Sequence, residues 1–305
     1  MNIRIAILLC TYNGEKFLYQ QLDSYLEQSK KNFVVYVSDD GSEDRTIDII
    51  KSYCDKLKIH LFSGPRKGFA QNFLSLIINE EVYGDYFAFS DQDDIWEKDK
   101  LERAINIIQQ YSIHTPVLYC SRMSLISEDG DLLGLSPEYV VNPSFQNSLV
   151  ESISCGNSMV FNKAARDIIK ECSTSAIIPS HDWWAYIVIT GCGGIVVLDN
   201  QPTVKYRQHT SNLVGMDYSM RAKLSRFSSV LQGQWQALIN LNVIAIKNIE
   251  HRLTPRNDRI FKYFHEGRNS KNLIVRLSSF YRSGIYKKSF VGNLTLAISA
   301  VFNKL

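Results

Sequence analysis

The sequence predicts an α/β fold with a mainly parallel central sheet, followed by a helical C-terminal extension. Two observations carry this. In the first hundred residues, short apolar runs alternate with segments whose apolar residues recur at helical spacing. Strands separated by helices of that length imply right-handed crossovers and a parallel sheet. Beyond residue 217 the composition changes. Residues 1–217 carry 19 Lys/Arg against 28 Asp/Glu, a balance of −9, whereas 218–305 carry 15 against 3, a balance of +12. A shift of this size places a boundary near 215–220, dividing a first unit, 1–217, from a basic region, 218–305, with a different task.

Residues 5–10 (IAILLC) read as a buried first strand, and Leu18, Leu22, Tyr25 and Leu26 then mark a helix face. Residues 33–38 are a second strand. Ser42 reads as the N-cap of the next helix, with Glu43 and Asp44 in its first turn. Residues 58–63 are a third strand, 69–79 a helix, 86–90 a fourth strand and 97–111 a helix. After 120 the pattern loosens. EDGDLLG suggests a hairpin turn, 158–161 a short strand followed by a helix to about 171, and 181–189 the start of another helix. The basic region reads as helices over 218–248, 256–266, 270–282 and 286–302.

The composition is that of a globular chain, with 45% hydrophobic and 21% charged residues among 305. The six cysteines form no CxxC pair and several lie in apolar runs. This suits reduced, buried thiols and a cytoplasmic location. The apolar run at the N-terminus is too short for a signal peptide, and no run approaches the roughly 20 apolar residues of a spanning helix.

In a parallel sheet, ligands bind at the carboxyl ends of the strands. Here those ends are polar: Thr11-Tyr12-Asn13, Asp39-Asp40-Gly41-Ser42 and Asp91-Gln92-Asp93-Asp94. The last is the most unusual, with three carboxylates in four positions. It could be a solvated turn with Asp94 capping the next helix. A calcium loop fails, because Ile95 and Trp96 stand where a ligand and a glycine are needed. A divalent-cation site shared with a diphosphate fits better. Residues i and i+2 of an extended segment point the same way, so Asp91 and Asp93 can face one ligand while Asp94 faces elsewhere. Substrate phosphates would complete the shell of Mg²⁺ or Mn²⁺.

The motifs CTYNG (10–14), VSDDGSEDRT (37–46), GPRKGFAQN (64–72), SDQDDIW (90–96), HDWW (181–184) and YRQHTSN (206–212) occur in an order and spacing that resembles the family 2 glycosyltransferases. The resemblance spans about residues 3–215. The forms SDQDDIW, HDWW and YRQH are most similar to the bacterial rhamnosyltransferase branch of O-antigen and capsular polysaccharide synthesis. It implies the nucleotide-diphospho-sugar transferase fold of GT-A type. It also implies that Thr11, Tyr12 and Asn13 line the donor nucleotide pocket with Asp39 and Asp40 near the base, and that Lys67 and Gly68 belong to the same pocket. Asp91 would touch the ribose, and Asp93 and His209 would serve the metal. Asp182 would be the catalytic base, with Glu151 or Glu171 as the next candidates. One base carboxylate with no opposing nucleophile implies inversion. Trp183 and Trp184 are candidates for the acceptor's stacking wall, one of the two being core. His181 has no assigned role.

The basic region shows no nucleic-acid motif. An apolar stripe of Phe290, Leu294, Ala297, Ile298, Val301, Phe302 and Leu305, just after Lys287 and Lys288, suits a helix lying on an anionic membrane. Packing on the first unit, or on a second copy in a homo-oligomer, suits it equally. The sequence therefore points to an inverting, metal-dependent glycosyltransferase. It would carry a sugar, with dTDP-rhamnose the favoured donor, to a growing lipid-linked saccharide at the inner face of the membrane. A UDP-sugar donor is the alternative, and a catalytically inactive carbohydrate- or lipid-binding protein a more remote one.

Overall fold

A computed structural model describes residues 3–174, 176–209 and 234–305. The sheet contains β1 (Ile5–Thr11), β2 (Phe33–Asp39), β3 (Ile59–Ser63), β4 (Tyr86–Ser90), β5 (Ile95–Trp96), β6 (Val117–Ile126), β7 (Leu132–Leu135), β8 (Met159–Asn162) and β9 (Ile195–Arg207). Their order is β3-β2-β1-β4-β8-β6-β9-β5, with β7 hairpinned onto β6. The first four strands run parallel. β8 is then inserted antiparallel between β4 and β6, while β6 and β9 run parallel through a shifted register.

The helices are α1 (Leu18–Leu26), α2 (Thr46–Ser52), α3 (Phe69–Ile78), α4 (Lys100–Ile108), α5 (Phe145–Ser148), α6 (Lys163–Ser173) and α7 (His181–Gly191), then α8 (Gln234–Asn248), α9 (Pro255–Asn269), α10 (Leu273–Ser283) and α11 (Phe290–Val301). The uninterrupted apolar run of β1 follows from its place in mid-sheet. Ile5, Ile7 and Leu9 face a core shared with α1, α2 and α4. Ala6, Leu8 and Cys10 face the other core, shared with α3, α6 and α7. A strand covered on both faces needs no polar alternation.

Most predicted elements are present, but three boundaries differ. Ser42 does not cap α2. Its hydroxyl donates to Asp39 (2.6 Å), and α2 begins only after Asp44, whose carboxylate accepts from the Thr46 N–H (3.0 Å). The helix expected from 97 starts at Lys100, after the two-residue strand β5. Asp94 is not a cap, being fully buried.

The four C-terminal helices α8–α11 agree with the pattern of the basic region. The expected boundary near 217, Ser211 and Asn212 of the YRQHTSN motif, and the start of the 218–248 helix lie outside the described residues. Ile239, Ile246, Phe261, Phe264, Phe280, Leu296 and Leu305 join the same apolar core as α3 and α7. Polar contacts reinforce this. The Thr254 N–H donates to Gly191 O (3.1 Å), Asn257 Nδ2 to Thr190 O (2.9 Å), and Trp235 stacks on Trp183 at 5.4 Å. Of the expected stripe, Phe290, Leu294, Ala297, Val301 and Phe302 are exposed, Ile298 is half-buried and Leu305 is buried, while α11 buries Leu296 and Ala300 instead. No helix among the described residues is long and apolar enough to cross a membrane.

Candidate active site

The carboxyl ends of β1, β2 and β4 meet, and the residues there hold one another. Asp39, buried, accepts from Thr11 Oγ1 (2.7 Å), from the Ser42 hydroxyl, and from the N–H groups of Gly41 (3.1 Å) and Ser42 (2.8 Å). Gly41 has φ 100°, a conformation that favours glycine and lets the chain curl back over the carboxylate. The Asn13 N–H donates to Ser42 Oγ (2.9 Å), and Asn13 Oδ1 accepts from the Glu43 N–H (2.8 Å). Asp40 shapes the loop after β3. Its Oδ1 accepts from the Arg66 N–H (2.6 Å) and its Oδ2 from the Gly68 N–H (2.9 Å). Lys67 stands exposed between these two anchors. Gly68, with φ 84°, turns the chain into α3.

Gln92 joins this loop cluster to the acidic one. Its Oε1 accepts from the Tyr12 N–H (2.9 Å) and its Nε2 donates to Tyr12 O (3.0 Å). The Tyr12 ring is left exposed beside it. A Cβ on Gly14 would lie 2.3 Å from Gln92 Oε1, so a larger residue there must displace the Gln92 amide from Tyr12.

The acidic cluster divides as the alternation of an extended segment predicts. Asp94 turns inward, accepting from Asn157 Nδ2 (2.5 Å) and from the Arg207 N–H (3.2 Å). Burial, with Asp93 and Asp91 nearby, pushes its carboxyl well up. Asp93 faces the crevice, with Oδ2 2.8 Å from His209 Nε2. The His209 ring packs on Phe17 at 5.1 Å. Arg207, almost wholly buried, fixes this corner. Its Nε donates to Asp93 O (3.0 Å), Nη1 to Glu128 O (2.7 Å) and Nη2 to Gln20 Oε1, and its guanidinium lies over Phe17 at 4.7 Å. Asp91 is half-buried, and its carboxyl is pushed up to about 8, first by burial, then by Asp93 and Asp182.

Asp182 lies in the first turn of α7, close enough to Asp91 for its charge to act there. It accepts from the N–H groups of Trp183 (2.6 Å) and Gly156 and from the Ser180 hydroxyl. Although the helix N-terminus favours its charge, burial outweighs those bonds and raises its carboxyl to about 6. Residue 156 must be glycine, because a Cβ there would lie 2.3 Å from His181 Nε2. The His181 ring is enclosed by Phe69, Phe73 and Phe89, and burial pushes it down to about 3, so it is neutral.

The tryptophans differ from expectation. Trp183 donates to Ser148 O (2.6 Å) and Trp184 to Ser173 Oγ (3.0 Å), and both are buried. Both are core, because Trp235 from the C-terminal region covers the face that Trp183 would have offered a sugar. Gln92, Asn157 and Arg207 carry the site's geometry without having been singled out in the sequence. Gln92, between Asp91 and Asp93 in SDQDDIW, and Arg207, inside YRQH, lay within quoted motifs, whereas Asn157 did not.

Asp91, Asp93 and Asp182 thus come near one another beside the His209 imidazole, at the carboxyl ends of a mainly parallel sheet, where such folds bind ligands. Comparison with known proteins narrows the class. The Glycosyl transferase family 2 model matches residues 6–167. The chain is 31% identical over 244 residues to the dTDP-rhamnosyl transferase RfbG of Shigella flexneri, covering 74% of this chain and 80% of that protein. It is 29% identical over 128 residues to the putative teichuronic acid biosynthesis glycosyltransferase TuaG of Bacillus subtilis, covering 41% of this chain and 49% of the relative. Among solved structures, S. aureus TarS 1-349 in complex with UDP-GlcNAc superposes with a TM-score of 0.55 at 15% identity, covering 93% of each chain. The mannosyltransferase PcManGT from Pyrobaculum calidifontis, in complex with GDP-Man and Mn²⁺, gives 0.50 at 14%, covering 99% of this chain and 86% of that one. These two carry the fold, which is the GT-A type. The chain belongs to glycosyl transferase family 2 and is a glycosyltransferase.

Proposed function

We propose that this enzyme transfers a sugar, with inversion, from a nucleoside diphosphate donor to a saccharide acceptor, aided by Mg²⁺ or Mn²⁺. The observation that carries the reading is the Asp93–His209 pair, 2.8 Å apart, with Asp91 close enough to both Asp93 and Asp182 for their charges to act on it. Carboxylate oxygen and imidazole nitrogen suit either ion. Among the described residues no three His, Cys, Asp or Glu side chains form a metal-binding group, so diphosphate oxygens would supply the remaining ligands. When bound, the ion offsets the charge that develops on the departing nucleoside diphosphate.

The chain's own residues do the rest. Thr11, Tyr12, Asn13, Asp39, Asp40, Lys67 and Gly68 form the nucleotide side, with Asp91 toward the ribose. Asp39 and Asp40 already accept bonds from their own loops, which favours shaping the pocket over contact with the base alone. Asp182 takes the proton of the acceptor hydroxyl as its oxygen bonds to the anomeric carbon and the bond to the diphosphate breaks. A base near 6 is ionised at neutral pH yet more basic than an ordinary carboxylate. Residues 1–217 form the catalytic unit, and 218–305 complete it.

Similarity to the Shigella rhamnosyltransferase over most of the chain favours dTDP-rhamnose as donor. The UDP-GlcNAc bound to TarS keeps a UDP-sugar as the alternative. Thermal shifts with a panel of sugar nucleotides and Mn²⁺ test this directly. dTDP-rhamnose should give the largest shift, and a larger one with a UDP-sugar would transfer the assignment. Release of nucleoside diphosphate only when acceptor is present would exclude an inactive binding protein.

The face formed by Ile274, Tyr281, Phe290, Val291 and Phe302, with Lys271, Arg282 and Lys304 on the same helices or their ends, is exposed. Apolar side chains with cations around them fit an anionic bilayer surface, where a lipid-linked acceptor in polysaccharide synthesis would reside. A concentration-dependent dimer without vesicle binding would give that face to a second copy instead.

A further inference from the structure

The C-terminal region does more than cover the core. Between α10 and α11 the chain runs across the loop that precedes β8. Lys288 Nζ donates to Ser152 O (3.0 Å) and Ile153 O (3.2 Å), and the Lys288 N–H donates to the Glu151 carboxylate. One residue pair back, Tyr286 O accepts from Asn147 Nδ2 (3.0 Å), and Tyr286 Oη donates to Asn142 O (2.8 Å). Asn147 Nδ2 also reaches Glu151 Oε1 (2.8 Å). This knot grips the start of a loop whose far end touches both halves of the chemistry. The Gly156 N–H donates to Asp182, and Asn157 Nδ2 donates to Asp94, the neighbour of Asp93.

We infer that Lys288 is a positioning residue for the catalytic base: its side chain grips Ser152 and Ile153 at the start of the loop whose Gly156 N–H binds Asp182. The inference rests on Asp182 being the base. Two physical effects support it. Two side-chain bonds and one backbone bond tie Lys288 to the start of a short loop, whose far end is held separately by Lys100, Tyr139 and Asp94. The charge also matters, because among the described residues Lys288 is a cation that lowers Asp182 against the effect of burial. The other ionisable groups near Asp182 among the described residues do not help it ionise. Asp91 at the end of β4, pushed up to about 8, is protonated where Asp182 titrates. Cys120 on β6 and Cys155 in the loop are thiols held protonated by burial, and His181 beside it is neutral. Loss of the Lys288 charge should therefore move Asp182 upward, a direction that loss of packing alone would not impose.

The test is the pH dependence of kcat/KM for nucleoside diphosphate release in wild type, Lys288→Met, Lys288→Gln and Lys288→Arg. Met and Gln should shift the acid limb to higher pH by roughly half a unit or more, the scale of one nearby charge across a partly solvated gap. Gln retains a donor for the carbonyls, so it reports charge even if Met loosens the loop. Arg should restore the wild-type limb. An acid limb that stays in place with both Met and Gln, or that moves as far with Arg as with Met, overturns the inference. Asp182→Asn separates the two levels. If it leaves turnover near normal, the assignment of the base has failed. If it abolishes turnover while the Lys288 variants keep the wild-type limb, only the role of Lys288 has failed.

Discussion

The two sides of the proposed active site are built by different means. On the nucleotide side, the ends of β1 and β2 and the loop after β3 fasten one another within the first 68 residues. Asp39 binds Thr11 and Ser42, Asp40 binds Arg66 and Gly68, and Asn13 binds Ser42 and Glu43. On the reacting side, each carboxylate depends on distant chain. Asp93 meets His209, Asp94 meets Asn157 and Arg207, and Asp182 meets Gly156 and the charge of Lys288. The first side uses carboxylates as structural acceptors. The second crowds them into partial burial, where Asp91 and Asp182 are both raised. A pocket for a nucleotide needs a fixed shape, and tight local turns provide it. A reacting centre needs unsatisfied charge, which is costly to bury and has to be held from several directions.

Substitutions on the two sides should therefore fail differently. The largest effect is expected from Asp182→Asn. Turnover should fall by two or more orders of magnitude, the usual scale of base catalysis, while donor affinity changes little. Steady-state kinetics with parallel titration of donor checks both. Next is Asp93→Asn, which removes a charged ligand from a site with few. Nucleoside diphosphate affinity in the presence of Mn²⁺ should drop at least about tenfold and lose most of its metal dependence, as read by calorimetry with and without the ion. Unchanged metal dependence would remove Asp93 from the metal site. On the nucleotide side, Gly14→Ala forces a Cβ to within 2.3 Å of Gln92 Oε1. It should cost about 1–3 kcal/mol of stability by overpacking and weaken donor binding, with little effect on the rate at saturating donor. Thermal melting and a KM-against-kcat comparison would show whether the sides separate in this way. The smallest effect belongs to the exposed C-terminal face. Phe290→Ser with Phe302→Ser should reduce sedimentation with anionic vesicles without lowering Tm, since neither side chain is buried. High salt should reduce it further by screening the cations. Deleting 286–305 would be a poorer probe, because it also removes Lys288 and the buried Leu296, Ala300 and Leu305.

The same contrast explains what the sequence disclosed. The cluster at the ends of β1 and β2 was readable because its residues lie in short motifs at strand ends, and the strands carry unbroken apolar runs. The inward turn of Asp94 followed from alternation alone. Ser42 was misread as a helix cap because a serine before two acids has that pattern whether or not a nearby carboxylate claims its hydroxyl. The long strands β6 and β9 were not picked out as elements, and their pairing across a shifted register joins segments too far apart for periodicity to link. The tryptophans looked available because nothing in HDWW shows that Trp235 lies over Trp183. Lys288 stood in a basic run whose charges are mostly solvated, and only its contacts with Ser152 and Ile153 set it apart.

The central claim is that Asp182, held near 6 by burial, removes the acceptor's proton. The most direct test is the pH profile of nucleoside diphosphate release with donor, Mn²⁺ and acceptor, recorded from roughly pH 5 to 8 for wild type and Asp182→Asn. The carboxylate accepts a proton only when ionised, so the wild-type rate should fall as pH drops through about 6, with the slope of a single group. The variant's residual rate should lack that limb. A flat wild-type profile across this range, or the same limb persisting in Asp182→Asn, would contradict the assignment.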